Sequence, residues 1–269
     1  MPNVYIENAE KWKALAEVDY FTQFVRAWIA FNAWYKNSFD CRTDSEAINY
    51  IKTYSNRFRD NIQALLNSDE AEDRAFKLWI ADLYRQLEKC SVYSDKEQKQ
   101  QITFNQIVTE RNPQKKTPFT RRSFVYTVER GPGEEKEKII KITIRKRGDV
   151  GQPRFSYTQT SGYNLDDLCS HPDFGQLSEA QCKNLVACYE EINPKKPVCL
   201  LVQDMDASDY LKIDEIRFVN DVDLLCKGLI EILYNLRNAL FHGTIVPDTQ
   251  TRRVYEPAYH ILHTLIQAL

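Results

Sequence analysis

From Asn220 to Phe241 the chain carries one apolar stripe without a break. Val222, Leu225, Cys226, Leu229, Leu233, Leu236 and Leu240 recur at three- and four-residue steps, the period of one face of an α-helix. Gly243 follows as a stop. This is the clearest element of the chain, and other segments match it. Phe21, Phe24, Val25, Trp28, Phe31, Tyr35 and Phe39 predict an amphipathic helix over Tyr20–Phe39, with Asn32 on the same stripe. Thr43-Asp44-Ser45-Glu46 reads as a capping box opening a second helix toward Leu66. A third runs from Glu70 to Cys90, and a last one from Tyr259 to Ala268.

The period changes in the middle of the chain. Asn112 to Pro118 is rich in helix breakers and reads as a connection. Phe124–Val128 is β-like, Gly131-Pro132-Gly133 makes a turn, and Ile140 to Ile144 alternates with period two. Phe155–Thr158 adds a third strand. Ser178-Glu179-Ala180-Gln181 is a further capping box, opening a helix to about Ile192, while Val198–Val202 fits either a short strand or a buried segment. The expected organisation is N-terminal bundle helices over 1–110, a basic antiparallel β-meander inserted over 111–160, and C-terminal helices over 161–269 that complete the bundle. The fold class is mainly α, α+β overall.

Composition narrows the function classes. Apolar residues at 43% and charged residues at 28% allow a buried core in a soluble protein. No apolar run reaches the length of a membrane span, and the N-terminus lacks the basic-then-apolar pattern of a signal peptide. Seven Cys with no Cys-x-x-Cys pair predict reduced thiols in a cytoplasmic protein, without a disulfide framework or a zinc site. The net charge of −2 hides a division. Residues 111–154 hold 13 Lys and Arg against 5 Asp and Glu, and the remainder 23 against 33. Such a segment suits a polyanion. Lys115, Lys116, Arg121, Arg122, Lys141, Arg145, Lys146 and Arg147 are the candidates for tracking a phosphate backbone, with Phe119, Phe124 and Tyr126 near enough to stack on bases.

Reactive groups are most compact at Leu236-Arg237-Asn238-Ala239-Leu240-Phe241-His242-Gly243. Arg237 falls at the margin of the apolar stripe and His242 on the far side, about 7.5 Å further along the axis. One copy therefore presents them as neighbours without a closed pair. A second Arg and His pair, Arg253 and His260, is interrupted by Pro257, which argues against one shared helical pattern. Glu256, His260 and His263 are weak as a metal triad without a fourth ligand. Asp204 and Asp206 read as a solvated loop.

The Arg237–Asn238…His242 motif, with Phe24-Val25-Arg26-Ala27-Trp28-Ile29-Ala30-Phe31-Asn32-Ala33-Trp34-Tyr35, resembles HEPN domains, helical bundles many of which are ribonucleases. The resemblance covers the N-terminal helices and residues 219–269 and leaves the middle third unexplained. It implies a homodimer with a composite site in which Arg237, Asn238 and His242 are catalytic; Asn32, on the buried stripe, reads as a satisfied core amide or, alternatively, as a side chain facing that site. It implies RNA as substrate, neither metal nor other cofactor, and a toxin or antiphage role with room for an antitoxin or defence-system partner protein. A catalytically silent HEPN module that binds RNA or a partner protein is the alternative it leaves open. In a third reading the basic middle segment carries the main function and the helices only dimerise it.

Overall fold

The computed structural model describes residues 18–68, 70–95, 100–132, 138–149, 151–204 and 208–269; Gly133 of the expected turn and Asp206 lie outside them. In chain order the elements are α1 (Tyr20–Ser38), α2 (Asp44–Thr53), α3 (Arg57–Asn67), α4 (Ala71–Lys89), β1 (Tyr93–Asp95), β2 (Gln100–Gln101), β3 (Lys116–Arg121), β4 (Phe124–Arg130), β5 (Ile140–Lys146), β6 (Phe155–Gln159), α5 (Leu165–Ser170), α6 (Glu179–Glu191), β7 (Leu211–Ile213), β8 (Ile216–Phe218), α7 (Val222–Phe241) and α8 (Thr249–Gln267). The chain is α+β and divides into two units, Met1–Thr109 with Val198–Leu269, and Glu110–Pro197.

The first unit is helical. Asp19 caps α1 by accepting from the backbone N–H groups of Phe21 and Thr22, and the helix buries Phe24, Ala27, Trp28, Phe31 and Tyr35. The capping box at α2 forms, with Thr43 accepting from Glu46 N–H. The expected single helix from Thr43 to Leu66 is two. Tyr54 is extended and Asn56 starts α3 by accepting from Arg59 N–H. The apolar spacing of Ile51, Phe58, Ile62 and Leu66 runs straight through this break, so a strong N-cap decides where periodicity is silent. The last helix is longer than expected, starting at Thr249 with Pro257 inside it. Pro257 is buried and forfeits one ladder bond, which packing of its neighbours Tyr255, Ala258 and Ile261 offsets. Tyr255 packs on Phe21 and Phe24 of α1 and donates its hydroxyl to Leu236 O at 2.8 Å. Inside α7, Gly228 lets Leu200 close in, since a Cβ there would sit 2.3 Å from Leu200 Cδ1.

In the second unit, β3-β4-β5-β6 form one antiparallel meander. β3 falls where a connection was expected. It is an edge strand, mostly exposed, and so tolerates Pro118. Alternation puts Tyr126, Val128, Ile140, Ile142, Ile144 and Phe155 on one face, where they share a core with Leu168, Leu185, Tyr189 and Ile192. Residues 161–197 thus belong with the sheet, and the boundary expected at 160 falls at 197. Among the described residues, no helix is long and apolar enough to cross a membrane.

Candidate active site

Helix α7 buries Leu225, Cys226, Leu229, Ile230, Ile232, Leu233, Leu236 and Ala239. Its end is fixed by two reversed backbone bonds. Gly243 N–H donates to Leu240 O and Thr244 N–H to Ala239 O, with Gly243 at φ 65°. This left-handed closure satisfies the last carbonyls and favours glycine. The Thr244 hydroxyl adds a bond to Tyr93 O at 2.9 Å. His242 is the C-cap, at φ −85°. Its backbone is therefore held while its side chain is exposed, and the imidazole has no hydrogen-bond partner among the described residues.

One turn earlier, Arg237 lies half-buried. Nη1 donates to Asn238 Oδ1 at 2.9 Å and Nη2 to Asp44 Oδ2 at 3.1 Å. The guanidinium lies 4.6 Å from the centre of the Phe241 ring. Its Nε is buried without a partner. Asp44, in the first turn of α2, gathers the rest. Its Oδ1 is 3.2 Å from Lys36 Nζ and accepts from Asn32 Nδ2 at 3.5 Å. Asn32 Nδ2 also donates to the Tyr35 hydroxyl. Burial, and then the Asp44 charge, push the Tyr35 phenol up to about 12, so it stays protonated.

The structure thus brings Arg237, Asn238 and Asn32 into one polar cluster and leaves His242 beside it on the surface. Asp44, Lys36 and Tyr35 were missed. Asp44 reads in the sequence as part of a cap, and nothing local marks which carboxylate faces an arginine 193 positions away. Arg253 and His260 do share a helix, contrary to the expected interruption at Pro257. They still form no site: Arg253 is exposed, while His260 stacks on Trp79 at 4.2 Å between ring centres. Burial lowers the His260 pKa. Among the described residues, no three His, Cys, Asp or Glu side chains converge to hold a metal.

The basic candidates belong to the second unit, and pleating divides them. Lys116, Lys141 and Arg145 lie on the sheet face away from the core, Lys116 and Lys141 on either side of Glu129 of β4 and Arg145 in register with Val125. Lys116 pairs with Glu129 at 2.8 Å. Arg145 donates to Gly151 O at 2.9 Å. Lys146 and Arg147 are exposed at the end of β5, and Lys115 precedes β3. Arg121 points the other way, donating to Asn184 Oδ1 of α6 at 3.1 Å, and Arg122 stands at the β3–β4 turn. No family model matches the chain, and neither a curated protein nor a solved structure matches it.

Proposed function

We propose that the chain is a HEPN-type, metal-independent endoribonuclease working as a homodimer. The observation that carries this reading is the end of α7. An arginine oriented by a carboxylate, an amide and an aromatic ring stands one turn before an exposed histidine on a locked backbone. Two of the five N–H donors of Arg237 are engaged by Asp44 and Asn238, and the planar fork suits non-bridging phosphate oxygens as their charge grows. His242 takes the proton of a ribose 2′-hydroxyl, whose oxygen bonds to phosphorus as the bond to the 5′-oxygen breaks. A histidine of the second copy returns a proton to that leaving oxygen. The products are a 2′,3′-cyclic phosphate and a 5′-hydroxyl. Lys115, Lys116, Lys141, Arg145, Lys146 and Arg147 serve to recruit RNA through its phosphates. By its resemblance such an enzyme would act as a toxin or antiphage effector with an antitoxin or defence-system protein as partner, and the unpaired cysteines suit a cytoplasmic location.

One observation favours the rival reading of a silent module. Asp44 already neutralises Arg237, so the cation is also explained as a structural tie between α2 and α7. His242→Ala separates the two. Purified wild type should cleave RNA in the presence of chelator, leave the ends named above, and spare a substrate carrying 2′-deoxyribose at the cut site. The variant should lose about 100- to 10,000-fold in rate with an unchanged melting curve. Cleavage persisting in His242→Ala, or leaving a 5′-phosphate, excludes the histidine mechanism.

A further inference from the structure

The second unit contains a cavity of about 580 Å³ between the β3–β4 hairpin and the first turns of α6, within the range of small-molecule sites. Arg121, Arg122, Arg154 and Lys183 line it, and no carboxylate does. None of the four pairs with an acid among the described residues. They come from three places in the chain, so their meeting is a product of the fold rather than of one basic run. Two of them are nonetheless fixed. Arg121 Nη1 donates to Asn184 Oδ1 at 3.1 Å, and Asn184 Nδ2 in turn faces the Tyr126 hydroxyl at 3.4 Å. Asn184 is only 9% exposed. Arg154 Nη2 donates to Gln176 O at 3.1 Å. Neutral acceptors thus orient two guanidinium groups without cancelling their charge. Gathering like charges in a concave site is unfavourable unless an anion joins them.

Two further features sharpen the ligand. Arg122 holds φ 55° at the hairpin tip, a backbone state that glycine adopts at lower cost, so a cation stands where a smaller residue would be less strained. α6 starts at the cavity wall, where Ser178 and Ala180 line it, and directs the positive end of its dipole there. Forked guanidiniums match phosphate oxygens, and a phosphate monoester carries nearly two charges where an internal diester carries one. The half-buried Phe124 ring adds an apolar wall suited to a base.

We propose that this cavity binds a terminal phosphate monoester attached to a nucleoside, supplied either by a free nucleotide or by the phosphorylated end of a nucleic acid. The site is independent of Arg237 and His242, and its test does not depend on cleavage. Calorimetric titration of the full chain should use 5′-AMP, adenosine, and 5′-phosphorylated and 5′-hydroxyl hexadeoxyadenylate, which resist 2′-hydroxyl chemistry. AMP should bind about tenfold or more tightly than adenosine. Arg154→Glu and Lys183→Glu should each weaken AMP about tenfold or more, while Lys195→Glu, exposed in the same unit and outside the cavity lining, should change it less than about twofold. Arg122→Gly relieves the positive φ and should raise the melting temperature while weakening AMP, which separates lost binding from lost folding. A 5′-phosphorylated oligonucleotide binding as well as AMP, with its 5′-hydroxyl counterpart weak, assigns the site to nucleic-acid ends; AMP binding with neither oligonucleotide assigns it to free nucleotides. Equal binding of AMP and adenosine, or equal loss in Lys195→Glu and Arg154→Glu, overturns the proposal.

Discussion

Asp44 and Arg237 meet at 3.1 Å across 193 positions of sequence, joining the first turn of α2 to the last turns of α7. The carboxylate also faces Lys36 and Asn32, so one acid organises two cations and an amide. Both partners are largely screened from water, at 25% and 19% side-chain exposure. That places the pair between a surface bridge, which contributes little, and a buried one, whose desolvation offsets its attraction.

A double-mutant cycle measures the pair. Asp44→Ala, Arg237→Ala and the double variant, followed by urea unfolding, should give a coupling of about 1–3 kcal/mol. Arg237→Lys should not rescue, because one ammonium cannot reproduce separate bonds to Asp44 and Asn238 while lying over Phe241. A coupling near zero means that the pair does not hold in solution and that Arg237 is oriented by Asn238 and Phe241 alone.

A second tie sits on the same two helices. Lys52, near the end of α2, is 4% exposed and pairs with Glu231 of α7 at 2.5 Å. With Asp44 and Arg237 at the other end, α2 is anchored to α7 twice. Glu231→Ala should destabilise by about 3–5 kcal/mol, since it leaves a buried ammonium uncompensated. Lys52→Met with Glu231→Leu should restore most of that loss. A double variant as unstable as Glu231→Ala shows that volume, not charge, decides this contact.

The elements legible in the sequence are those whose signal is local. α7 and its glycine stop follow from one stripe and one residue, and β4, β5 and β6 from alternation and composition. Where two local signals compete, periodicity misleads: Ile51 to Leu66 keeps its spacing across a helix boundary that Asn56 sets. Pro misleads in both directions, since Pro118 hides an edge strand and Pro257 sits within a helix. The site divides in the same way. Arg237, Asn238 and His242 are visible as a motif, but Asp44 is not, because only tertiary packing selects it. The basic segment looks like one patch and becomes two faces, because strand alternation sends Arg121 toward α6 and Lys141 and Arg145 away from it.

His260 gives a pH dependence of known sign. Stacked on Trp79 and near Tyr20, it has its pKa lowered from 6.5 chiefly by burial, with Glu256 opposing and His263 assisting. Below 6.5 the unfolded chain therefore takes up the proton more readily than the folded one. The stability that the neutral ring provides is complete above 6.5 and is lost as pH falls toward the folded value. His260→Phe keeps an aromatic ring against Trp79 and removes the titration. Urea unfolding between about pH 7 and about pH 5.5 should show a shallower loss for the variant than for the wild type. A wild type that loses no more than the variant contradicts the assignment.

The proposed dimer has a candidate surface. Phe241 is 52% exposed and Val246 62% exposed, on either side of His242. Two exposed large apolar side chains close in sequence to His242 suit a two-fold contact, where each patch meets its own copy. Light scattering at micromolar concentration should give about twice the chain mass of 31.6 kDa. Val246→Asp would place a carboxylate in that contact without touching Arg237, Asn238 or His242, and it should shift the protein to monomer. Since the proposed reaction needs a second histidine as acid, the same variant should lose cleavage while keeping the wild-type melting curve. A wild type that cleaves as a monomer, or a Val246→Asp monomer that cleaves as fast as the wild type, removes the composite site and leaves His242 to act from one chain.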